Sequence, residues 1–252
     1  MSCCVGVDGC PGGWIAVWRP DGGEAAVRVF PAFADLIACV AGDATIAVDM
    51  PIGLPEFSRR GGRGPEAQVR PLLGQRQSSV FSIPSRAAVY AETAPFTTVA
   101  ASYAAHRRAS EVARRTSDPP RGVSIQAFGI FSKIREVDAL LRERPDLRER
   151  IFESHPEVAF MRLNGGIPMR LPKKIKGMVN PDGMEERKAL LCSLGYQRTF
   201  LDGRPPPGAK PDDFLDAACM MLVAGRIRRG EAVSFPDPPQ GDALGIPVAI
   251  RA

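Results

Sequence analysis

Two short apolar runs that each end in an aspartate, Val5-Gly6-Val7-Asp8 and Thr45-Ile46-Ala47-Val48-Asp49, constrain this chain more than any other feature. Between them lie two further strand patterns and one helical pattern. The turn residues Gly9-Cys10-Pro11-Gly12-Gly13 lead into Trp14 to Trp18, a β-prone run of aromatic and branched residues. A second turn at Pro20-Asp21-Gly22-Gly23 precedes Ala25 to Phe30, which alternates through Val27 and Val29. Tight turns make these three strands antiparallel neighbours. The period then changes: Phe33, Leu36, Ile37 and Val40 recur at helical spacing and predict an amphipathic helix from Pro31 to Ala41, ended by Gly42. The order is β-β-β-α-β. A helical crossover sets the fourth strand parallel to an earlier one. With the first strand as its partner, Asp8 and Asp49 share the sheet edge at which open α/β sheets bind ligands.

The rest of the chain decorates this frame. Prolines at 51, 55, 65, 71, 84 and 95 interrupt the stretch from Met50 to Arg121, read as an insertion or lid over about residues 55–123. Its clearest helix runs from Thr97 to Arg115. Ser124 to Arg144 predicts one long amphipathic helix, with Ile130, Ile134, Val137 and Leu141 on one face. Ile151-Phe152-Glu153 predicts a fifth strand, and Pro156 opens a helix through Phe160 and Leu163. Lys173 to Asn180 reads as a basic loop, and Met184 to Leu194 as a short helix. The last helix spans Pro211 to Arg229, with Gly230 as its stop. The tail from Phe235 to Pro239 reads as irregular, and Ile246 to Ile250 fits a closing strand or a loop equally. One decorated domain over residues 1–252 is expected.

Inventory narrows the chemistry. The six cysteines, Cys3, Cys4, Cys10, Cys39, Cys192 and Cys219, form no C-x-x-C pair and no disulfide spacing. With only His106 and His155, a histidine-rich metal site is excluded. No apolar run reaches the ~18 residues of a membrane span and no secretory signal opens the chain, so a soluble, cytoplasmic protein is expected. Net charge is +5 but uneven. Glu56 to Arg121 holds 11 arginines, no lysine and 5 acidic residues, a local charge of +6 that leaves −1 for the rest. Such an insertion beside an acidic site suits a polyanion, with a solvated basic surface as the alternative.

Four places converge acids on one edge in this topology: Asp8, Asp49, Glu153 and Asp212-Asp213-Phe214-Leu215-Asp216. Asp8 and Asp49 each also fit a turn residue, and Glu153 an edge position or a salt bridge. Helix capping accounts for Asp212 and Asp213 after Pro211, but not for Asp216, a turn deeper on the face of Asp213. Two carboxylates about 4 Å apart repel by ~4 kcal/mol at an effective dielectric near 20, so several share a site only when protonated or neutralised by a cation. Carboxylate oxygens suit Mg²⁺ or Mn²⁺, and such ions activate phosphodiester hydrolysis. Asp8, Asp49, Glu153, Asp213 and Asp216 are therefore the candidate metal ligands and catalytic residues. Arg70, Arg86, Lys133 and Lys174 are candidates to contact substrate phosphate. His155 is a candidate proton shuttle, with a hydrogen-bonded structural histidine as the alternative.

These residues resemble a known family. Val5-Gly6-Val7-Asp8-Gly9-Cys10-Pro11-Gly12-Gly13-Trp14 resembles the opening of the DUF429 family, described as predicted ribonuclease H-fold nucleases. So do Ala47-Val48-Asp49-Met50-Pro51-Ile52-Gly53-Leu54-Pro55, Ser78-Ser79-Val80-Phe81-Ser82-Ile83-Pro84-Ser85-Arg86 and Lys133-Ile134-Arg135-Glu136-Val137-Asp138. Glu153-Ser154-His155-Pro156-Glu157 and Asp212-Asp213-Phe214-Leu215-Asp216-Ala217 complete a likeness that runs in order over nearly the whole chain. The resemblance implies an α/β ribonuclease H-like fold, with a mixed sheet in strand order 3-2-1-4-5 flanked by helices and the insertion after the fourth strand. It also implies a metal-dependent nuclease activity on DNA or RNA. The Asp213-x-x-Asp216-Ala217 spacing is similar to the last catalytic helix of Holliday-junction resolvases of the RuvC type. The family's usual Arg-x-Cys-Asp reads Arg63-Gly64-Pro65-Glu66 here, so no aspartate role carries over at this point and Glu66 stands in its place. Resolvases act as dimers, but no interface is legible in this chain.

Two other functions fit the same frame. An actin-like nucleotide phosphotransferase or ATPase also opens with a strand, an acid and a Gly-containing turn, but a second Gly-rich phosphate loop is missing here. Stabilisation by ATP-Mg²⁺ and not by branched DNA would distinguish it. A non-catalytic interaction protein on the same fold would cleave no nucleic acid and tolerate Asp49→Asn.

Overall fold

The computed structural model describes residues 4–20 and 23–252. Met1, Ser2, Cys3 and, from the turn expected at Pro20 to Gly23, Asp21 and Gly22 lie outside the described residues. Tight turns and apolar alternation build the expected meander of β1 (Cys4–Cys10), β2 (Gly13–Trp18) and β3 (Ala26–Phe30), each antiparallel to the next. Helix α1 (Phe33–Cys39) crosses over, burying Phe33 and Leu36, and delivers β4 (Thr45–Asp49) parallel to β1. The insertion contributes β5 (Ser58–Arg59), α2 (Pro65–Val69), a kinked 3₁₀ stretch (Arg70–Ser79), α3 (Arg86–Val89), α4 (Val99–Arg115) and β6 (Ser117–Asp118). Then follow α5 (Ile125–Gly129), α6 (Phe131–Glu143) and β7 (Ile151–Glu153), which pairs parallel with β4.

The protein is thus α/β, with a mixed five-stranded sheet flanked by helices. Counted along the chain its order is 3-2-1-4-7, not the 3-2-1-4-5 read from the sequence. The two extra strands, β5 and β6, pair with each other and not with the sheet, so Ile151–Glu153 keeps the outer place but is seventh in the chain.

Residues of alternate parity along the strands feed two cores. Val5, Val7, Ile46, Val48 and Ile151 face α1, α4 and α6, while Ile15, Val17 and Ala47 face the opposite side. That side is covered by α7 (Pro156–Leu163), α8 (Pro181–Ser193) and α10 (Pro211–Arg228). A short hairpin, β8 (Lys174–Ile175) with β9 (Met178–Val179), precedes α8, and α9 (Arg198–Leu201) precedes α10. Helix α10 is buried almost all round, from Asp212 to Met221, so it carries little amphipathic signal. It lies directly on β1 because Gly6 has no side chain: a Cβ there would sit 2.0 Å from Met221 N and 2.1 Å from Ala217 O.

Three further sequence expectations change. The single helix expected from Ser124 to Arg144 is broken at Ile130 (φ −101, ψ 2), directly after Gly129, a poor helix former. The basic loop from Lys173 to Asn180 contains the β8–β9 hairpin. The tail falls within β10 (Ser234–Gly241), which forms an antiparallel ribbon with β11 (Pro247–Arg251), but the register shifts between Phe235 and Gln240, so the stretch expected to be irregular bulges out of the pairing. Its prolines are tolerated in a two-stranded ribbon, and Asp242 Oδ1 accepts the Leu244 and Ile246 amides in the turn. Among the described residues, no helix is long and apolar enough to cross a membrane.

Candidate metal centre

The parallel register aligns Asp8 with Asp49, so the two carboxylates leave the same face at the ends of adjacent strands. Helix α10 covers that face and brings Asp216 over them. Oxygens from Asp8, Asp49 and Asp216 all lie within 4.8 Å of one another. Asp8 is 7% exposed and Asp216 3%. Neither Asp8 nor Asp49 accepts a hydrogen bond or forms an ion pair among the described residues. Asp216 Oδ2 accepts from Lys173 Nζ, while its Oδ1 is buried without a partner.

Three acids this close resist ionisation. Burial, then repulsion from Asp49, Asp216 and Asp213, pushes the Asp8 carboxyl well above its ordinary range. Burial and Asp216 push Asp49 up to about 8. Burial also raises Asp216, to about 6, against the pull of Lys173. Burial disfavours the Lys173 ammonium, but Asp216 and Glu157 outweigh it and hold the charge more firmly than in water. Lys173 is therefore one cation facing three carboxylates, and a hard divalent ion bound among them would take the place of the protons that burial and repulsion otherwise retain. The donor set is all oxygen, and its unpartnered atoms fit Mg²⁺ or Mn²⁺.

Lys173 is held from behind. Arg187, fully buried, donates to both oxygens of Glu157 at 2.7 and 2.9 Å, and to the carbonyls of Leu171 and Gly183 at 3.0 and 2.8 Å. Asn180 Nδ2 donates to Pro172 O at 2.8 Å. The chain just before Lys173 is thus pinned to α8 and its N-cap, and the Arg187–Glu157 pair ties α8 to α7.

Glu153 is not drawn into the carboxylate group. Its parallel partner is Val48, not Asp49, which puts it on the opposite face of the sheet. There Arg63 donates to both its oxygens at 2.5 and 2.9 Å, and the Ile52 amide donates at 2.7 Å. Arg63 also donates to Glu66 at 2.8 Å and to the carbonyls of Ile52 and Gly53 at 2.8 and 3.1 Å. Burial works against this guanidinium, yet Glu153 and Glu66 raise it above its ordinary range. The network ties the loop after Asp49 to β7, and Glu66 anchors its arginine. Arg63→Met leaves two buried carboxylates unpaired, and a loss of about 3–5 kcal/mol is expected in urea unfolding. Arg63→Lys restores little, because one ammonium cannot reproduce the fork of bonds. Unfolding midpoints within error of wild type would contradict that role.

The other candidates divide between rim and scaffold. Asp213 caps α10, its Oδ2 accepting from the Lys210 amide at 2.9 Å, but its charge still reaches Asp8 and Asp49. Lys174 pairs with Asp212 at 2.5 Å. Lys133 lines the cleft, donating to Gly13 O and lying 4.7 Å from the Trp14 ring centroid. Arg70 and Arg86 are bonded within the protein. Arg70 donates to Val80 O, Gly61 O and Ser82 Oγ, and Arg86 pairs with Asp138 and Asp242. His155 Nε2 lies 3.3 Å from Ser79 O and so must donate to it. Burial lowers its pKa to about 4, too weak a base for proton shuttling near neutral pH.

The sequence reading passed over Lys173 and Arg63. Lys173 lay inside the basic loop already singled out, and nothing in a Lys-Lys pair tells which member turns inward. Arg63 stood in the quoted Arg63-Gly64-Pro65-Glu66 segment, where only the acid drew attention. A cleft of about 180 Å³ opens at the strand ends, lined by Asp8, Asp49, Lys133 and His155 together with Val80, Phe81 and Ile83 of the insertion. No curated protein and no solved structure matches the chain significantly. The profile of the family described as "Protein of unknown function (DUF429)" matches residues 6–241, nearly the whole length, and the chain therefore belongs to that family.

Proposed function

We propose that this protein is a divalent-metal-dependent nuclease with a ribonuclease H-like fold. The observation that carries the reading is the convergence of Asp8, Asp49 and Asp216, from two adjacent parallel strands and a helix, with oxygens within 4.8 Å and most of them unpartnered. The meander followed by parallel strands, with α10 laid on the site face, supports the fold assignment.

Asp8 and Asp49 would hold the ion from the sheet and Asp216 from the helix. A bound Mg²⁺ or Mn²⁺ supplies Lewis-acid charge at a phosphate oxygen and acidifies its water. Lys173 keeps Asp216 ionised and adds positive charge beside the ligands. The Arg63 network fixes the loop that follows Asp49. Val80, Phe81 and Ile83 give the cleft beside the strand ends an apolar lining, which strengthens the charge interactions next to it.

The test is incubation with labelled single-stranded, duplex and branched DNA and RNA, in Mn²⁺, Mg²⁺ or EDTA. Cleavage is expected only with an ion present, and is lost in Asp8→Asn and in Asp216→Asn. Cleavage undiminished in Asp8→Asn, or none with any substrate in either ion, overturns the reading.

A further inference from the structure

A second cleft, of about 380 Å³, adjoins the first across Ile83. Three arginines line it: Arg59, Arg60 and Arg121. None of them makes a side-chain hydrogen bond or ion pair among the described residues, and no carboxylate lines the cleft. This distinguishes them from Arg63, Arg70, Arg86 and Arg108 of the same insertion, all of which are engaged by carboxylates or carbonyls.

The fold builds this wall deliberately from distant segments. The pair β5–β6 aligns Ser58 with Ser117 and Arg59 with Asp118, and the Ser58 amide donates to Thr116 O at 3.0 Å. The Arg121 amide donates to Ser117 Oγ at 2.8 Å, which folds Arg121 back towards β5. Asp118, though opposite Arg59 in register, forms no ion pair with it and does not line the cleft. Ser58, only 7% exposed, lines the cleft and makes no side-chain hydrogen bond among the described residues. Three arginines without internal partners lining one cleft with a serine supply the kind of donors that bind phosphate.

We infer that this cleft binds a backbone phosphate of a nucleic-acid strand whose neighbouring segment lies in the acidic cleft. The inference deepens the nuclease reading by naming where the strand is held. The strand is favoured over a free phosphate because the two clefts adjoin, with Gly62 in the wall of one and Arg63 in the wall of the other. Each arginine in contact with phosphate displaces condensed counterions, so its loss weakens binding and flattens the salt dependence.

The experiment measures binding of a fluorescein-labelled oligothymidylate by anisotropy, in EDTA so that no metal chemistry contributes, over a series of salt concentrations. Wild type is compared with the triple variant Arg59→Gln, Arg60→Gln, Arg121→Gln and with a charge-matched control, Arg107→Gln, Arg204→Gln, Arg228→Gln. Thermal unfolding of all three checks that they fold. The cleft variant is expected to bind about tenfold or more weakly, with the log–log salt slope reduced by about 2, while the control stays close to wild type. Equal losses in both triple variants, or no loss in the cleft variant, overturn the inference. Inorganic phosphate competing as effectively as an unlabelled strand also overturns it. Because binding is read without metal, failure here is separable from failure of metal-dependent cleavage.

Discussion

Metal-free protein is expected to lose about 2 kcal/mol of stability as pH rises from 6.5 to 8, and Mn²⁺ is expected to restore it. The sign follows from the carboxylates. The folded-state pKa of Asp49 is raised to about 8, and that of Asp216 to about 6, whereas unfolded aspartates ionise near ~3.9. Between those values the folded protein binds more protons than the unfolded chain, so stability falls with rising pH. His155 acts in the opposite sense at lower pH, since it is buried neutral with its pKa lowered to about 4. Most of its contribution is in place at its ordinary value of 6.5, and what remains offsets only about 0.4 kcal/mol of the loss across the window. Saturating Mn²⁺, at about a hundredfold over its dissociation constant, adds about 2.7 kcal/mol, or about 5–10 °C in Tm for a chain of this size. Asp49→Asn removes the buried charge and a ligand together. The variant should exceed metal-free wild type in stability at pH 8 and show no Mn²⁺ shift. Thermal scans at the two pH values, with and without Mn²⁺, decide it. A rise in stability towards pH 8, or an unchanged Mn²⁺ shift in Asp49→Asn, would contradict the electrostatics of the site.

Gly6→Ala is expected to be the most damaging single methyl group in the molecule. The added Cβ meets backbone on both sides, 2.0 Å from Met221 N and 2.1 Å from Ala217 O, so no side-chain rotation relieves it. Either α10 lifts from β1 or the strand bends, and in both cases Asp216 leaves Asp8. A loss of more than about 4 kcal/mol in urea unfolding is expected, together with loss of Mn²⁺ binding by any folded remainder. Gly42→Ala is the control: nothing lies within 4 Å of its Cβ, and its effect should fall within about 1 kcal/mol of zero. A Gly6→Ala protein as stable as Gly42→Ala would show that α10 does not pack as described.

The sheet was legible because the first four strands are local: turn residues and a change of period fix their order, and the crossover rule places Asp8 beside Asp49. The two other alignments that matter are long-range. A shift of one residue in parallel register moves a side chain to the other face, and it is the pairing of Glu153 with Val48, more than 100 positions away, that takes this acid from the carboxylate group to Arg63. The same limit applies to β5 and β6. Two residues carry no periodicity, and only the folded chain shows Ser58 next to Ser117. Charge was legible as a total but not as pairing. The arginine excess of the insertion is real, yet Arg70 and Arg86 are bonded internally, and the arginines left unpaired around the second cleft, Arg59, Arg60 and Arg121, are told apart from the rest of that excess only by the fold. Asp216 stood out in the sequence because helix capping accounts for Asp213 and not for the deeper acid; in the fold Lys173 pairs with one of its oxygens and the other is buried without a partner.

The central claim, that Asp8, Asp49 and Asp216 together hold a divalent cation, is tested most directly by anomalous diffraction from a crystal soaked in Mn²⁺ above pH 8. The expected result is an anomalous peak about 2.0–2.2 Å from oxygens of all three carboxylates, absent from an Asp49→Asn crystal. A fully soaked crystal with no peak among these residues, and with Lys173 as their sole cationic neighbour, would contradict it.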